Sequence, residues 1–368
     1  MVSKGDYQRM RGFELINKIN TGGFDRVFTE LYGKEKLKRA RDRYKKLIEA
    51  YIKRFGDSDI YLFSAPGRTE IGGNHTDHNN GHVLAAAVDL DVIAAVFPTR
   101  GQVITISSEG YPDSIVNIDM TSLEKQTDTG RLIYGVSAGV AERGYKAGGF
   151  NACITSDVPP GSGLSSSAAF ENLICTIISH LYNNGRITAT ENALIGQTAE
   201  NIYMGKPSGL MDQLASTVGG FAGIDFKYEK APVIARIPFS LRKSGYTLCV
   251  VNTGGSHEGL TDEYASIPNE MQSVAGIFGK RVLRELTIDL VLENINLIRD
   301  KCGDRALLRA LHFFDEDKRA KEQAELLQKG DFNGFLRLES GRSSVSLLQN
   351  IYVEGKPGRC SPRKKRLS

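Results

Sequence analysis

The stretch Val158-Pro-Pro-Gly-Ser-Gly-Leu-Ser-Ser-Ser-Ala-Ala-Phe170 decides how this chain is read. Upstream, Phe150-Asn-Ala-Cys-Ile-Thr155 alternates apolar and polar residues, as a half-buried strand does. Gly161 and Gly163 allow a turn with little side-chain bulk. Downstream, Phe170, Leu173, Ile174, Ile177, Ile178 and Leu181 recur at helical spacing. The loop therefore opens onto a helix N-terminus, where free N–H groups and the helix dipole favour an anion. Ser165, Ser166 and Ser167 add three hydroxyls there, which makes the stretch a candidate phosphate cradle. The same residues also suit an ordinary capped turn, because serine is a favoured N-cap. No Gly-Lys-Ser/Thr follows, so this is not a Walker loop, and the third glycine of the dinucleotide fingerprint is missing.

A chain of 368 residues points to two domains, and 40% hydrophobic residues supply a sizeable core. A net charge of +4 is too small to argue for a nucleic-acid partner. The five cysteines, at 153, 175, 249, 302 and 360, are scattered and lack metal-site spacing, which fits reduced thiols. No apolar run reaches membrane-spanning length and no secretory apolar segment stands at the N-terminus. A soluble cytoplasmic protein is expected, without membrane or nucleic-acid partner and as a monomer.

Residues 1–35 are mixed and carry no clear period. From Lys36 to Phe55, Leu37, Ala40, Tyr44, Leu47, Ile48, Tyr51 and Ile52 form one helical face, opposite a face rich in Lys and Arg. That basic face suits solvent, with nucleic acid as the alternative. Ile60–Ser64 reads as a strand and runs into a polar, glycine-rich segment, 65–81, expected to lie outside the core. Strands are expected at Val92–Phe97, Val103–Ser107 and Ser114–Ile118, and a helix over Leu132–Arg143. A helix at Ala189–Tyr203 leads to the loop Gly205-Lys-Pro-Ser-Gly-Leu-Met-Asp-Gln213. Leu248–Thr253 reads as a short strand. Helices follow at Asp262–Leu283, Leu290–Lys301, Asp315–Gln328 and Asp331–Gln349. The change of character near residue 240 marks a domain boundary, giving 1–240 and 241–357. The tail, 358–368, is basic and aperiodic.

Two constellations carry chemistry. Arg68, Glu70, Asn74, His75, Asp77, His78 and Asn79 crowd donors and acceptors around three glycines, which suits a polyol. His75, Asp77, His78 and His82 are also metal-ligand types, but their spacing matches no zinc pattern. Asp212, in a glycine-bearing apolar loop, is either a helix cap or a carboxylate aimed at a substrate hydroxyl. Glu200 lies twelve residues earlier, and if both reach the phosphate loop, one could hold Mg²⁺ while the other acts on the nucleophile. Tyr264 is either an exposed ring or a sugar contact.

Three segments together resemble the galactokinases, of the kinase superfamily shared with homoserine, mevalonate and phosphomevalonate kinases. The family's Gly-Arg-x-Asn-x-Ile-Gly-Glu-His-Thr-Asp-Tyr aligns without a gap on Gly67-Arg-Thr-Glu-Ile-Gly-Gly-Asn-His-Thr-Asp-His78. The superfamily's Pro-x-Gly-x-Gly-Leu-Ser-Ser-Ser-Ala is matched by residues 159–168, and the family's Gly-Ile-Met-Asp-Gln by Gly209-Leu-Met-Asp-Gln213. The resemblance implies a two-domain α/β (α+β) fold with a ribosomal-S5-like N-terminal domain and a ferredoxin-like C-terminal domain. It implies ATP-dependent phosphorylation of the galactose C1 hydroxyl. Asp212 and Arg68 match the catalytic pair. Ser166 and Glu200 match the Mg²⁺ ligands. Pro160, Gly161, Ser162, Gly163, Leu164, Ser165, Ser166, Ser167 and Ala168 match the ATP loop. His75, Asp77 and Tyr264 match sugar contacts, and Asn74 stands where the family has a sugar-binding Glu. Glu70 and His78 replace the family's Asn and Tyr, and Asn74 motivates an alternative, a kinase for another sugar such as N-acetylgalactosamine. The superfamily's third glycine-rich motif is expected beyond residue 357 and is absent there, which implies a C-terminal domain cut short. A sensor that binds sugar and nucleotide without turnover is the reading that this loss would favour.

Overall fold

The structure is a computed structural model and describes residues 9–120, 123–124, 126–206, 208–228, 231–250 and 261–340, the side chains of 261–265 and 340 excepted. Two compact units divide the chain, each gathered from separated stretches. The first takes in Met1–Glu70, Ala85–Ala222 and Ser240–Ser256; the second takes in Ile71–Leu84, Gly223–Phe239 and His257–Ser368.

The first unit is organised by the alternation of one long strand. The strands are β1 (Met10–Arg11), β2 (Asp59–Gly72), β3 (His82–Pro98), β4 (Val103–Ser108), β5 (Ser114–Asn117) and β6 (Phe150–Ser156), in sheet order β1-β2-β3-β6-β4-β5. The β3–β6 pair is antiparallel, with Val92 opposite Ser156, and β4–β6 is parallel, with Thr105 opposite Asn151. Along β3, Val92, Ala94 and Val96 enter one core cluster, while Ile93 and Ala95 enter another. Successive side chains of a strand point to opposite faces, so a run of five apolar residues serves two cores at once.

On the first face lie α4 (Asp128–Glu142), α5 (Ser166–Asn183) and α6 (Ala189–Thr198). The period seen in the sequence is the packing face of α5: Leu173, Ile174, Ile177 and Ile178 are fully buried. Each such side chain contributes about 1.5–3 kcal/mol by leaving water. The second face carries α1 (Gly12–Asn20), α2 (Asp25–Tyr32) and α3 (Leu37–Phe55), through Leu15, Ile19, Phe28, Tyr44, Ile48 and Tyr51. The expected helix from Lys36 is therefore α3, and its basic face is largely committed to carboxylates. Lys36 meets Asp89 at 2.5 Å, Arg39 meets Asp157 at 2.9 Å, Arg54 meets Asp113 at 2.9 Å, and Arg43 pairs with the buried Asp91.

Two expectations are corrected here. The helix read as Ala189–Tyr203 is α6, which ends at Thr198, followed by a single π-turn at Ala199–Tyr203. Segment 65–81 was expected outside the core, yet Ala65, Ile71, Thr76 and Asn79 are buried. Part of it is β2 itself, and its buried polar groups find partners: the Thr76 hydroxyl reaches the Gly73 and His82 carbonyls at 2.8 and 2.6 Å. Burying such groups is tolerable only when they are hydrogen-bonded. A short helix α7 (Met211–Val218) completes the elements that matter for the first unit's chemistry, and α8 (Leu241–Ser244) follows in its last stretch.

The second unit holds β7 (Phe221–Asp225, from Gly223 on) paired with β8 (Val233–Ile237), then α9 (Thr261–Ile277), α10 (Ile288–Glu293), α11 (Ile295–Lys329) and α12 (Phe332–Ser340). Its core joins Met271, Val274, Leu283, Val291, Ile298, Ala310 and Phe313. The helices expected at 290–301 and 315–328 are largely parts of α11, interrupted at Gly303, whose φ of 84° is not helical. The strand expected at 248–253 does not form over 248–250, and 251–253 lie outside the described residues. The tail at 358–368 lies outside them too. Among the described residues, no helix is long and apolar enough to cross a membrane.

Candidate active site

The phosphate-loop candidate folds into an irregular turn between β6 and α5. Gly161, Gly163 and Ser165 all have positive φ, at 65°, 74° and 54°. A left-handed serine is uncommon and persists where neighbours fix it. Ser165 is the N-cap residue of α5, but its side chain makes no capping bond. Its hydroxyl donates instead to Asp212 Oδ2. The simple reading of a capped turn is thereby displaced.

Strand β2 runs beside this turn. The Arg68 N–H donates to the Leu164 carbonyl at 3.0 Å. A Cβ at position 67 would stand 2.8 Å from that same carbonyl oxygen, so the approach needs Gly67. Arg68 then extends to the first turn of α7, where its Nε and Nη2 lie 2.7 and 2.6 Å from Asp212 Oδ1. Its Nη1 donates to the Gly163 carbonyl. One carboxylate thus gathers a cation from β2 and a hydroxyl from the loop. Charge-assisted, multiply bonded pairs of this kind fix geometry as well as adding energy.

Glu200 sits behind the loop on the π-turn, 4% exposed. π-Turns in α-helices occur frequently at functional sites. The Ser167 hydroxyl donates to Glu200 Oε1 at 2.8 Å, and Lys206 Nζ reaches the same oxygen at 2.9 Å. Burial tends to lower the Lys206 ammonium's pKa, but Glu200 and its hydrogen bond outweigh this and raise it, so Lys206 stays charged. Gln213, fully buried, donates through Nε2 to Glu200 Oε2 at 3.1 Å and to Glu171 Oε2 at 3.2 Å. Burial, with Glu200 next in weight, pushes the Glu171 carboxyl well above its ordinary range.

The first unit therefore brings together Arg68, Asp212, Ser165, Ser167 and Glu200 of the expected site. Of the expected metal pair, Glu200 is buried among polar groups, and the serine bonded to it is Ser167, next to Ser166. Sequence reasoning missed Lys206, Gln213 and Glu171. Lys206 and Gln213 stood inside or beside the quoted loop; Glu171 was legible only as a lone charge in an apolar helix.

Asn74, His75 and Asp77 belong to the second unit, in the turn between β2 and β3. The Asp77 side chain is 8% exposed and accepts from the His78 N–H at 3.0 Å. Burial lowers the His75 pKa to about 4, against the opposing pull of Asp77. His75 is therefore neutral near pH 7, able to donate from one ring nitrogen and accept at the other. The Tyr264 side chain lies outside the described residues. Among those residues, no three His, Cys, Asp or Glu side chains form a metal-binding group.

Comparisons with known proteins match both stretches of sequence. The family model for the GHMP kinases N terminal domain matches residues 131–220, which hold the glycine turn, Glu200 and Asp212. The fold likewise resembles the Streptococcus pneumoniae phosphomevalonate kinase in complex with phosphomevalonate and AMPPNP, with a TM-score of 0.51 at 10% identity over 78% of this chain and 80% of that one. The fold is that of the GHMP kinase class. The galactokinase galactose-binding signature matches residues 49–98. Galactokinase of Lacticaseibacillus casei is 30% identical over 325 residues, covering 84% of this chain and 80% of that protein. Galactokinase of Streptomyces coelicolor is 30% identical over 287 residues, or 77% and 73%. The crystal structure of Lactococcus lactis galactokinase complexed with galactose superposes with a TM-score of 0.65 at 23% identity, covering 79% and 76%. The chain belongs to the galactokinase family.

Proposed function

We propose that this protein transfers the γ-phosphoryl group of ATP to the C1 hydroxyl of galactose, giving galactose 1-phosphate. The observation that carries the reading is the Asp212 carboxylate, held by Arg68 on one oxygen and by the loop serine Ser165 on the other. It supports a phosphoryl transfer in which Asp212 accepts or polarises the proton of the attacking hydroxyl. Arg68 offsets negative charge beside it. The loop Pro160–Ala168 offers backbone N–H groups to the phosphates. Catalysis of this kind rests mostly on positioning and charge stabilisation.

The residues present fit Mg²⁺, a hard cation that takes oxygen ligands. The buried Glu200 carboxylate and the adjoining serine hydroxyls are that donor set, with Ser166 and Glu200 the proposed ligands. When bound, the ion would neutralise charge on the phosphate oxygens. Lys206, already paired with Glu200, keeps a positive charge in the same place.

Asn74, His75, Asp77 and Tyr264 are the proposed sugar contacts. Asn74, where the family carries Glu, favours a second reading: a kinase for a related sugar such as N-acetylgalactosamine. We further propose residues 1–240 and 241–357 as the domains, and a cytoplasmic monomer with no nucleic-acid or membrane partner. The test is ADP release by the purified 368-residue chain with Mg-ATP and either sugar. Galactose-dependent release is expected, preferring galactose by more than about tenfold, roughly 1.4 kcal/mol. The reverse preference installs the second reading. Absence of release with both sugars, from a folded sample that binds ATP, removes the kinase.

A further inference from the structure

The turn that carries Asn74, His75 and Asp77 has an unusual backbone. Gly73, His75 and Asn80 all have positive φ, at 92°, 60° and 61°. A Cβ at Gly73 would stand 2.3 Å from the His82 carbonyl oxygen, so that close approach admits only glycine. His75 and Asn80 are not glycine, and a left-handed non-glycine residue persists where its surroundings over-determine it. Something must therefore hold this turn.

The holding groups all lie in the second unit and come from three elements. Asn79 Oδ1 accepts from the Leu283 N–H at 3.1 Å, and Asn79 Nδ2 lies 3.4 Å from Met271 Sδ on α9. The remaining anchors stand on one face of α11, at the i, i+4 and i+5 positions. His312 Nε2 is 3.0 Å from the Asn74 carbonyl oxygen. Glu316 Oε2 accepts from the Gly73 N–H at 3.2 Å, and Asp317 Oδ1 from the His82 N–H at 2.6 Å. His312 and Glu316 are 5% and 1% exposed. Polar side chains are seldom buried this deeply on a helix unless they are bonded.

The geometry points to His312, supported by Glu316, as a positioning residue that fixes the peptide before His75 and so aims the sugar-contacting side chains. The inference rests on the sugar reading of Asn74, His75 and Asp77 given above. The Asn74 carbonyl only accepts, so His312 must carry its proton on Nε2. Replacing that donor frees the Asn74 peptide to rotate, and the side chains of Asn74 and His75 on either side of it lose their aim. His312 meets the Asn74 backbone beside the sugar-contacting side chains, so its effect is expected on the sugar and not on ATP.

The experiment compares wild type, His312→Leu and His312→Gln in the full chain. In His312→Leu the galactose KM is expected to rise roughly ten- to a hundredfold, the range a misplacement of about 1 Å produces, while the ATP KM stays put. His312→Gln, whose amide can still donate, is expected to recover most of the loss. An unchanged galactose KM in His312→Leu, or equal rises for both substrates, overturns the inference. In parallel, a ¹H–¹⁵N spectrum of histidine-labelled wild type reports the tautomer whether or not the leucine variant folds. A proton on His312 Nε2 is expected, and an Nδ1–H tautomer overturns the proposal. Failure of wild type to phosphorylate any sugar would overturn the functional reading itself, and with it this inference. Sugar turnover with His312→Leu indifferent would overturn the inference alone.

Discussion

Arg68 holds Asp212 by one oxygen only. Its Nε and Nη2 converge on Oδ1 at 2.7 and 2.6 Å, which leaves Oδ2 to the Ser165 hydroxyl. The carboxylate is therefore fixed in orientation, and the oxygen facing the loop is engaged by a neutral, exchangeable partner. In the proposed transfer, the substrate hydroxyl takes the place of the serine hydroxyl at Oδ2 and the ion pair on Oδ1 stays.

Asp212→Asn tests this division. The amide keeps the shape but loses the charge and the proton acceptor. Turnover is expected to fall by about 10²–10⁴-fold, the usual worth of a positioned base, with ATP affinity nearly unchanged. Steady-state ADP release and a nucleotide titration on the same sample check both halves. Turnover within about threefold of wild type would take Asp212 out of the chemistry, since the range expected for a base begins near a hundredfold.

Arg68→Lys probes the other partner. Arginine's fork reaches Asp212 through two nitrogens and the Gly163 carbonyl through a third. A lysine ammonium is a point charge and cannot span those positions. Turnover is expected to drop by about 10²–10³-fold, comparable to removing one preorganised donor from a reacting site. Rate and phosphate affinity measured together would show whether the guanidinium serves the step or only the binding; an unchanged rate argues for binding alone.

The sequence made some of this legible and hid the rest for physical reasons. The strand, the glycine turn and α5 were plain because their signals are local: period 2, then two glycines, then period 3.6. Segment α1–α2 was not, because the two helices have 9 and 8 residues and a turn between them breaks the pattern. Arg68 and Asp212 stand 144 residues apart. Their pairing came from family resemblance, since nothing in either flank encodes a partner so distant. Glu171, Gln213 and Lys206 were passed over because their meaning is tertiary: each is an ordinary residue until Glu200 is brought alongside. Thr76 and Asn79 were misread because polarity suggested solvent, whereas their hydrogen-bond partners lie within the turn and on neighbouring elements.

His75 makes stability depend on pH. Its folded pKa is lowered from 6.5 to about 4 by burial. Between those values the unfolded chain binds a proton that the native chain does not. Stability from this group is therefore complete above about pH 6.5 and declines as pH falls toward 4. Melting temperature against pH should fall more steeply over that window in wild type than in His75→Asn. Parallel curves would mean that His75 titrates normally.

Glu171 has the opposite sign. Burial and the nearby Glu200 raise its folded pKa well above 4.5. The native state keeps a proton that the unfolded state releases, so this group costs stability as pH rises above about 4.5. Glu171→Gln places a permanently neutral group of the same shape beside Gln213, and it should gain on wild type as pH rises above about 4.5. Glu171→Ala should instead lose about 1–3 kcal/mol, because Gln213 Nε2 then keeps only its bond to Glu200 in a fully buried place. Denaturant melts of the three proteins at pH 5 and pH 8 separate the cases. A glutamine variant that loses ground as pH rises would show that Glu171 is ionised in the folded protein, and that its carboxylate, not a neutral carboxyl, holds Gln213.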